Sequence, residues 1–539
     1  MIVAAADIGA NAIWFWVAMV IYFAVILWIG ASIYRRHRRK DAAEQQKDYW
    51  VASRTTSALL VGMSIAAGWL LIGFITWAIF NTYMYGLGGI WAMVVPWFIL
   101  LFLMVVLVPW VRRIKAISQP QMLQNRFGLS LRVLVSPFNI FCFIIWSAAE
   151  VWTIAHIVAP EFGVAPWVMY LAFSIPIAIY MWLGGFHSVI NSNVLQFFMA
   201  IIFVTVVTVA IGVVAFRDLP SGVSMIDYLK RVVPAGSGEG YNGLSLFSLG
   251  VPFIFISIVA LLPGWVIEED WWLKAQSAKT TRAARQGIWA NVVYNVIWVL
   301  LCSSLIGLFA LVVFPPETAF DAVLGGDAYA ILTTFMSQEF PVWAMIILFP
   351  MLAGLSMSTM ATFTNVCAMN ISYDILQPLV YRKRGWSDAK IMSWSRAWSL
   401  IVCAIMVAVA FTIDYLPQGL WDAYYLSSGV LSAGVAVPVL GMFWKRANIY
   451  GAFAGSAVGG LTAFIGYFVE KYAFEYSYWP GWLASTYLGY AVWGVIAGVV
   501  TLIVVSLLTP ASPQARLDAI AAQPVDDHAE FFAGVRETG

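Results

Sequence analysis

Charged side chains are scarce in this chain. Asp, Glu, Lys and Arg make up 10% of its 539 residues, whereas 62% of the residues are hydrophobic and the mean hydropathy is +0.85. A soluble domain of this length does not have such a composition, so the sequence predicts an all-α polytopic membrane protein in contact with membrane lipid. The formal net charge of +2 gives no reason to expect nucleic acid as a partner.

Cysteine is also rare, and no nucleotide-binding motif is present. The cysteines all fall in apolar segments without metal-ligand spacing, which favours buried thiols over disulfides or a metal centre. They are Cys142, Cys302, Cys367 and Cys403. A Walker sequence is absent, so we expect neither an ATP-driven mechanism, nor an enzyme, nor an organic cofactor. The first apolar run, at 11–33, is followed by RRHRRK, which indicates a membrane anchor rather than a cleaved signal.

Apolar runs of roughly 20 residues recur along the chain and predict about thirteen transmembrane helices. Their centres lie near Phe23, Gly68, Ile99, Phe143, Ser174, Ile202, Phe255, Val299, Ser356, Cys403, Gly429, Ala457 and Ile496. The loops after odd-numbered spans, together with the tail, contain 25 of the 29 Lys and Arg residues. The positive-inside rule therefore predicts an external N-terminus and a cytoplasmic C-terminus in the plasma (cell inner) membrane.

A polar loop divides ten central helices into two groups of five. Because five is odd, the second group begins on the opposite face, which is the arrangement of an inverted repeat with its binding sites near the midplane. We expect the first helix of each group to be interrupted, where Gly62 to Gly68 and Gly250 to Gly264 concentrate small residues and proline. The predicted parts are an extra helix with a basic loop (1–47), the first repeat (48–215), an extracellular loop (216–242), the second repeat (243–446), two further helices (447–509) and a cytoplasmic tail (510–539).

One apolar stretch, MLAGLSMSTMATFTNVCAMN at 351–370, carries an unusual number of hydroxyl groups. Each hydroxyl inside a bilayer needs a hydrogen-bond partner, which is either a carbonyl of its own helix, a neighbouring helix or a ligand. The adjacent Ser358 and Thr359 are the strongest candidates for a ligand site. Ser356, Thr362 and Thr364 are interpreted as packing residues.

Four stretches in the same order resemble the sodium:solute symporter family, most closely its sodium/proline branch. They are DYWVASRTTSALLVGMSIAAGWLLIG (48–73), LGGFHSVINSNVLQ (183–196), EEDWWLKAQSAKTTRAARQG (268–287) and LGMFWKRANIYGAFAGSAVGG (440–460). The resemblance implies a LeuT-type five-plus-five inverted repeat with broken first and sixth core helices. It also implies that downhill Na⁺ entry drives the uptake of a small solute.

The resemblance further implies where the coupling ion binds. The family's main sodium site places side-chain ligands at Ser358 and Thr359 and backbone carbonyls near Met63, Ala66 and Leu355. Such a set is chemically reasonable, because Na⁺ is a hard cation and unwound backbone supplies oxygens without a formal charge.

Two departures from the family pattern concern carboxylates. An aspartate of the proline branch aligns with Ile65, and the family's Thr-Asp pair aligns with Ser192 and Asn193. A second sodium site is therefore not expected, and the sequence favours one coupled Na⁺.

Glu150 stands in the middle of an apolar helix, FIIWSAAEVWTIAHIV. A charged side chain at the centre of a bilayer costs roughly 2.5–3.5 kcal/mol on insertion scales, so such acids usually face a cavity or a partner. Three interpretations stay open from the sequence: a hydrogen-bonded group in helix packing, a counter-ion for a cationic substrate, and a proton-coupling site.

The remaining substrate-site candidates are assigned by position. Trp69 follows the first predicted break, and Trp146 lies one helical turn before Glu150. Further candidates come from the seventh and eleventh spans: Phe253, Phe255, Ser257, Tyr424 and Tyr425. An aromatic pocket of this kind suits an organic solute, with cation–π attraction if the solute is an amine.

Four acidic residues follow apolar runs and are interpreted as solvated cytoplasmic helix ends, with salt-bridged gating as the alternative. They are Glu268, Glu269, Asp270 and Asp374, with Lys274, Arg282 and Arg382 nearby in the sequence.

These features predict a secondary transporter that imports a small polar organic solute, an amino acid or related amine, together with Na⁺. Two alternatives remain open at this point. One is a solute sensor that uses the same fold with a separate signalling partner. The other is coupling to H⁺ instead of Na⁺, which the missing carboxylates and Glu150 suggest.

Overall fold

The computed structural model describes residues 2–37, 49–50, 54–114, 116–238, 240–416, 419–474 and 487–513. The regular structure of these ranges is helical, and one isolated bridge pairs Thr56 with Ala278. The α-helices are α1 (Ile2–His37), α2 (Ala58–Trp69), α3 (Ile72–Tyr85), α4 (Val94–Arg113), α5 (Gln119–Phe127), α6 (Leu129–Phe162), α7 (Pro166–Asp218), α8 (Met225–Leu229), α9 (Val251–Val266), α10 (Glu269–Ser277), α11 (Thr281–Tyr294), α12 (Ser303–Val313), α13 (Pro316–Ala319), α14 (Ile331–Glu339), α15 (Val342–Met369), α16 (Asp388–Ala410), α17 (Leu420–Leu431), α18 (Val437–Gly441), α19 (Ile449–Phe468) and α20 (Gly489–Leu508).

Shorter helical types connect or extend these helices. The 3₁₀ segments are Gly86–Ala92, Ala328–Ala330 and Ile413–Tyr415. The π-helical segments are Asn295–Cys302, Asn370–Tyr381, Ser432–Ala436 and Val469–Ala473. Each π segment continues an α-helix without a gap, so the spanning helices are longer than their α-helical parts.

Eleven helical segments of the described chain are long and apolar enough to cross a membrane. The protein is therefore a multi-pass α-helical membrane protein, although this measure does not return a count of thirteen. Two predicted centres, Ser174 and Ile202, share the single segment Pro166–Asp218, and a third, Gly68, lies in the short helix α2. Gly185 kinks the long segment with a positive φ of 52°, and a Cβ at this position would overlap the Tyr49 ring.

Two helices are interrupted where the sequence predicts broken core helices. The first break consists of Leu70 and Leu71, between α2 and α3, and the amide of Leu70 donates to Ala66 O at 3.1 Å. The second break consists of Ile267 and Glu268, between α9 and α10. Pro263 lies within the last turn of α9 and favours the interruption. The broken first and sixth core helices are thereby confirmed.

Helix α15 lies at the centre of the bundle. It packs against α1, α2, α6, α7 and α16. Every residue from 352 to 370 is buried, so no face of this stretch is open to lipid. This burial on all sides explains why a helix with many hydroxyls is tolerated here: its polar groups meet protein partners instead of hydrocarbon.

Candidate functional site

The hydroxyl groups of α15 meet the carbonyl end of α2 at the first break. Ser358 Oγ lies 2.6 Å from Ala67 O and 2.7 Å from Leu355 O, and Thr359 Oγ1 donates to Gly68 O at 3.0 Å. The last carbonyls of a helix have no partner within it, so these two hydroxyls satisfy groups that the break leaves open. Neutral oxygens from two helices therefore converge on one buried point.

The carbonyls in contact with these hydroxyls are not those that the sequence suggests. Met63 and Ala66 lie earlier in α2, and Ala66 O accepts the amide of Leu70. Leu355 O accepts the Ser358 hydroxyl within α15, three positions earlier in the helix. The other candidate hydroxyls behave as packing groups, since Thr362 bonds to Ser358 O at 2.9 Å and Thr364 to Met360 O at 2.7 Å, each within α15.

Glu150 closes the other side of the first break. Its two carboxylate oxygens accept the amides of Ile72 at 3.0 Å and Gly73 at 2.9 Å, which are the first backbone N–H groups of α3. The Tyr424 hydroxyl donates a third hydrogen bond at 2.9 Å. A carboxylate at a helix N-terminus is stabilised by the open N–H groups and by the helix dipole. Of the three interpretations of Glu150, the one that agrees with these contacts is a hydrogen-bonded group in helix packing.

Gly73 makes this contact possible. A Cβ at this position would lie 2.7 Å from Glu150 Oε1 and would also overlap the Tyr424 hydroxyl. The carboxylate can approach the backbone of α3 so closely because no side chain stands between them.

The second break carries a cluster of buried charges. Glu268 precedes α10, while Glu269 and Asp270 form its first turn. Asp270 Oδ2 accepts the Trp69 indole N–H at 2.9 Å and the Lys274 ammonium at 3.1 Å. The second break is thereby tied to the end of α2, since Trp69 is the last residue of that helix.

Burial corrects the interpretation of these acids as solvated helix ends. Glu268, Glu269 and Asp270 are at most 1% exposed, and Asp374 is fully buried. Their surroundings are protein because α10 packs against α2, α4, α11 and α15. Asp374 pairs with Arg132 of α6 at 2.8 Å. Lys274 is a partner of Asp270, as the sequence order suggests.

The acids of the second break differ in how well they are bonded. Glu269 accepts hydrogen bonds from the Gln119 amide at 2.9 Å and from the side-chain amides of Asn139 and Asn370 at 3.1 and 2.6 Å. Neither carboxylate oxygen of Glu268 has a hydrogen-bond partner among the described residues. A buried carboxylate without donors is costly, so Glu268 stands out from its neighbours.

A narrow cavity joins the two breaks, and its volume of about 20 Å³ is enough for little more than a water molecule. Leu71 lines it from the first break and Glu268 from the second. Aromatic residues form most of the remaining wall: Trp69, Phe74, Trp77, Trp97, Trp146, Trp265, Phe363 and Tyr424, with Met93 and Ser428 completing it. The Trp97 ring packs against Trp69 at a centroid distance of 4.9 Å and against Trp265 at 5.5 Å. The wall is therefore one connected aromatic surface.

Three predicted substrate residues line this cavity, namely Trp69, Trp146 and Tyr424. Glu150 lies behind the wall, bonded to Tyr424. Tyr425 packs edge-on against Trp77 and donates to Ala92 O at 3.2 Å. The structure thus brings together the candidates of three different helices around the first break.

The candidates from the seventh span do not reach this cavity. Phe253 lines a second cavity with Phe80, Tyr329 and Trp421. Ser257 bonds within its own helix, to Ile254 O at 3.0 Å. Phe255 is 68% exposed on the outside of the bundle, so its assignment as a pocket residue is wrong. It follows Phe253 by two positions, and two steps along an α-helix turn a side chain to nearly the opposite face.

The sequence alone does not identify several of the residues that line the cavity. Trp97, Trp265 and Phe363 resemble ordinary packing aromatics in the sequence, and only their contacts distinguish them. Glu268 carried a signal that was misinterpreted. An acidic run directly after an apolar span has the same pattern at a membrane surface and at the break of a discontinuous helix.

Comparison with known proteins supports these features. The chain is 24% identical to the sodium/proline symporter of Haemophilus influenzae over 65% of this chain and 68% of that protein. It is 23% identical to the sodium/pantothenate symporter of Escherichia coli over 82% of this chain and 88% of that protein. The solved structure of a Na⁺-coupled sialic acid symporter superposes with a TM-score of 0.71 at 16% identity and covers 93% of this chain and 99% of that one, which shows a shared fold. The profile of the sodium:solute symporter family matches residues 49–459, and this chain belongs to that family.

Proposed function

We propose that this protein is a secondary active transporter that carries a small polar organic solute across the membrane together with Na⁺. Family membership and the shared fold support sodium-coupled transport. The observation that carries the proposal is the contact of Ser358 and Thr359 with the carbonyl end of α2. A broken helix beside a hydroxyl-bearing helix at the midplane is the arrangement in which such folds hold coupling ions.

The residues present fit a sodium ion. Ser358 Oγ, Thr359 Oγ1 and Leu355 O are neutral oxygens, and α2 adds backbone carbonyls, for which Met63 and Ala66 are the candidates from the family pattern. When bound, Na⁺ would supply the positive charge that draws these oxygens together, while no formal charge of the protein needs to be buried with it. The chain's own contribution is to hold the hydroxyls of α15 against the break.

One coupled ion is the stoichiometry that we propose. Ile65 is fully buried, and the Asn193 side chain donates to Ser64 O at 3.1 Å and Ser64 Oγ at 3.0 Å. Ser192 bonds to Val189 O within α7 at 3.1 Å. Neutral groups with neutral partners thus occupy the places where relatives of the proline branch have carboxylates, and a second cation would find no countercharge there.

The proposed transport cycle uses the two repeats, 48–215 and 243–446, as the parts that move relative to each other. Substrate would bind between the breaks, where both repeats contribute wall residues and where their relative movement would widen the narrow cavity. We place the protein in the cell inner membrane with the N-terminus outside and the C-terminus in the cytoplasm, as the distribution of basic residues favours.

A sodium titration of the purified protein tests the ion site. Thermal unfolding is followed as NaCl replaces KCl at constant ionic strength, because a ligand that binds the folded state raises its stability. We expect Na⁺ to raise the unfolding midpoint of the wild type, and the double substitution Ser358→Ala with Thr359→Ala to abolish that shift. Thr364→Ala is the matched control, since its hydroxyl bonds within the same helix. A sodium shift that persists in the double variant would show that the site is elsewhere.

Uptake into proteoliposomes tests transport itself. Labelled amino acids and amines are offered with an inward Na⁺ gradient, an inward H⁺ gradient in sodium-free buffer, or no gradient. Uptake that requires the Na⁺ gradient supports the proposal. Uptake driven by the H⁺ gradient alone would replace sodium with proton coupling, and solute binding without uptake would favour a sensor.

A further inference from the structure

Carboxyl groups of the chain itself lie at the N-termini of both inner half-helices. In transporters with discontinuous helices, such N-termini point their positive ends at anionic groups of the substrate. Here the first N–H groups of α3 bind Glu150. The first turn of α10 contains Glu269 and Asp270. A substrate carboxylate would therefore compete with Glu150 at the first position and lie beside acidic side chains at the second, which disfavours an anionic or zwitterionic solute.

Glu268 favours a cationic solute, because its carboxylate is a hydrogen-bond acceptor without a donor. It is 1% exposed, it lines the cavity, and neither of its oxygens has a hydrogen-bond partner among the described residues. Its charged neighbours are Lys274 and Asp270; the Asp270 carboxyl group lies within hydrogen-bond reach, but as a carboxylate it is an acceptor like Glu268 and supplies no donor. Three buried carboxyl groups of this break, Glu268, Glu269 and Asp270, share one ammonium group, Lys274, so acidic groups are in excess. A cation in the cavity would reduce this excess.

The wall of the cavity suits an organic cation better than a metal ion. Five indole rings, two phenyl rings and one phenol face the space, and none of them offers the several oxygen ligands that an inorganic cation requires. The faces of such rings attract ammonium groups through their quadrupole, and tryptophan is the strongest of them. The Glu268 carboxylate and the aromatic rings thus both attract the positive charge of the solute.

Sites that bind sugars also combine aromatic rings with carboxylates, but this cavity lacks the polar groups that a sugar requires. The Tyr424 hydroxyl is engaged with Glu150, and Ser428 Oγ accepts the Trp265 indole N–H at 3.0 Å. Within the described part of the chain, the polar groups of the wall without a hydrogen-bond partner are the Glu268 oxygens and the indole N–H groups of Trp77 and Trp146. Most hydroxyls of a sugar would remain without partners, which is costly in a buried site.

We propose that the substrate is a small amine or quaternary ammonium compound without a carboxylate group, held in the aromatic cavity with Glu268 as its counter-ion. This inference rests on the proposed transport function and narrows its substrate class. Trp77 and Trp146 line the cavity with indole N–H groups that have no partner among the described residues, so the solute can carry one or two acceptor atoms, such as a hydroxyl oxygen.

Three matched probes test the substrate class on the unmodified protein. Choline carries a trimethylammonium group and a hydroxyl, glycine betaine adds a carboxylate to the same cation, and 3,3-dimethyl-1-butanol is the uncharged carbon analogue of choline. We expect choline to raise the thermal unfolding midpoint in the presence of Na⁺ and the other two to raise it far less. Equal or stronger effects of the uncharged analogue or of betaine would overturn the inference, as would stabilisation by glucose alone.

The substitution Glu268→Gln tests the counter-ion. It keeps the shape of the side chain and removes its charge, so we expect choline affinity to fall about tenfold or more, because a trimethylammonium group has no N–H to donate and is attracted to Glu268 only through its charge. Glu317→Gln, at an exposed position, is the control for a general change in charge. Unchanged choline affinity in Glu268→Gln would contradict the assigned role. If the variant does not fold, the three probes on the wild type still decide.

The failure of this inference differs from a failure of the proposed function. Sodium-driven uptake of a neutral amino acid or a sugar, with no effect of choline, would keep the transporter and refute the cation site. Choline binding that is lost in Glu268→Gln, but with uptake independent of Na⁺, would keep the cation site and refute sodium coupling.

Discussion

The two helix breaks are alike in backbone but opposite in the state of their carboxylates. At the first break, Glu150 arrives from α6 and accepts two amides and one hydroxyl. At the second break, Glu268 belongs to the break itself and accepts no hydrogen bond from a described residue. The inverted repeat thus supplies two equivalent interruptions, of which one is completed by the protein and the other lacks a partner.

This difference indicates that the two breaks have different roles. A break whose polar groups are satisfied is a fixed part of the fold, whereas a break with an unsatisfied charge carries a cost that a ligand can relieve. The hydroxyls of Ser358 and Thr359 extend the contrast, because they complete the carbonyl side of the first break as Glu150 completes its amide side. The substitutions below test whether the two carboxylates really differ in this way.

The largest effect is expected when the first break loses its carboxylate. Glu150→Ala leaves the amides of Ile72 and Gly73 and the Tyr424 hydroxyl without partners in a buried site. Each unsatisfied group costs about 1–3 kcal/mol, so we expect a loss of about 3 kcal/mol or more of folding free energy. The drop in thermal unfolding midpoint, followed by tryptophan fluorescence, measures it. Tyr424→Phe removes one of the three bonds and should give the smaller loss; a Glu150→Ala variant as stable as the wild type would remove the distinction between the breaks.

A methyl group at Gly73 is expected to have a smaller effect of the same kind. The added Cβ of Gly73→Ala would push Glu150 and the Tyr424 hydroxyl away from the start of α3. Overpacking of this kind costs about 1–3 kcal/mol. Gly441→Ala is the control, because a Cβ there makes only ordinary contacts, at 3.4 Å or more, with Leu502 and Phe127. Equal midpoints for the two variants would mean that Glu150 does not need its close approach to α3.

The smallest effect on folding stability is expected at the second break, where Glu268→Gln should not destabilise the protein. Glu268→Gln removes an unpaired buried charge and no hydrogen bond to a described residue. We therefore expect stability in Na⁺ without solute to be unchanged within about 0.5 kcal/mol or to rise. A clear loss of stability, comparable to that of Glu150→Ala, would show that Glu268 is a structural group, and the functional contrast between the breaks would disappear.

Some parts of the site follow directly from the sequence because their signal is local. Ser358 and Thr359 are adjacent hydroxyls in an otherwise apolar helix, so their need for partners is evident without a structure. The small residues before the first break and Pro263 before the second also mark interruptions by their own chemistry. Counting apolar runs is less reliable, because the helix kinked at Gly185 is one continuous segment that contains two predicted span centres.

Other parts depend on partners that are distant in the chain. The amides that bind Glu150 lie 78 and 77 positions away, and Tyr424 lies 274 positions away, so the sequence around Glu150 contains no trace of them. Phe253 and Phe255 differ in burial because of helical phase relative to the bundle, which composition does not reveal.

The sequence by itself determined that this chain is a polytopic helical membrane protein, that it resembles sodium:solute symporters and that two core helices are broken. Each of these follows from apolar length, motif order or local backbone chemistry. Only the tertiary structure decided which acid is satisfied and which is not. A carboxylate's free energy depends on the donors that packing brings to it, and α6 brings Glu150 to the amides of α3 while the described chain brings no donor to Glu268.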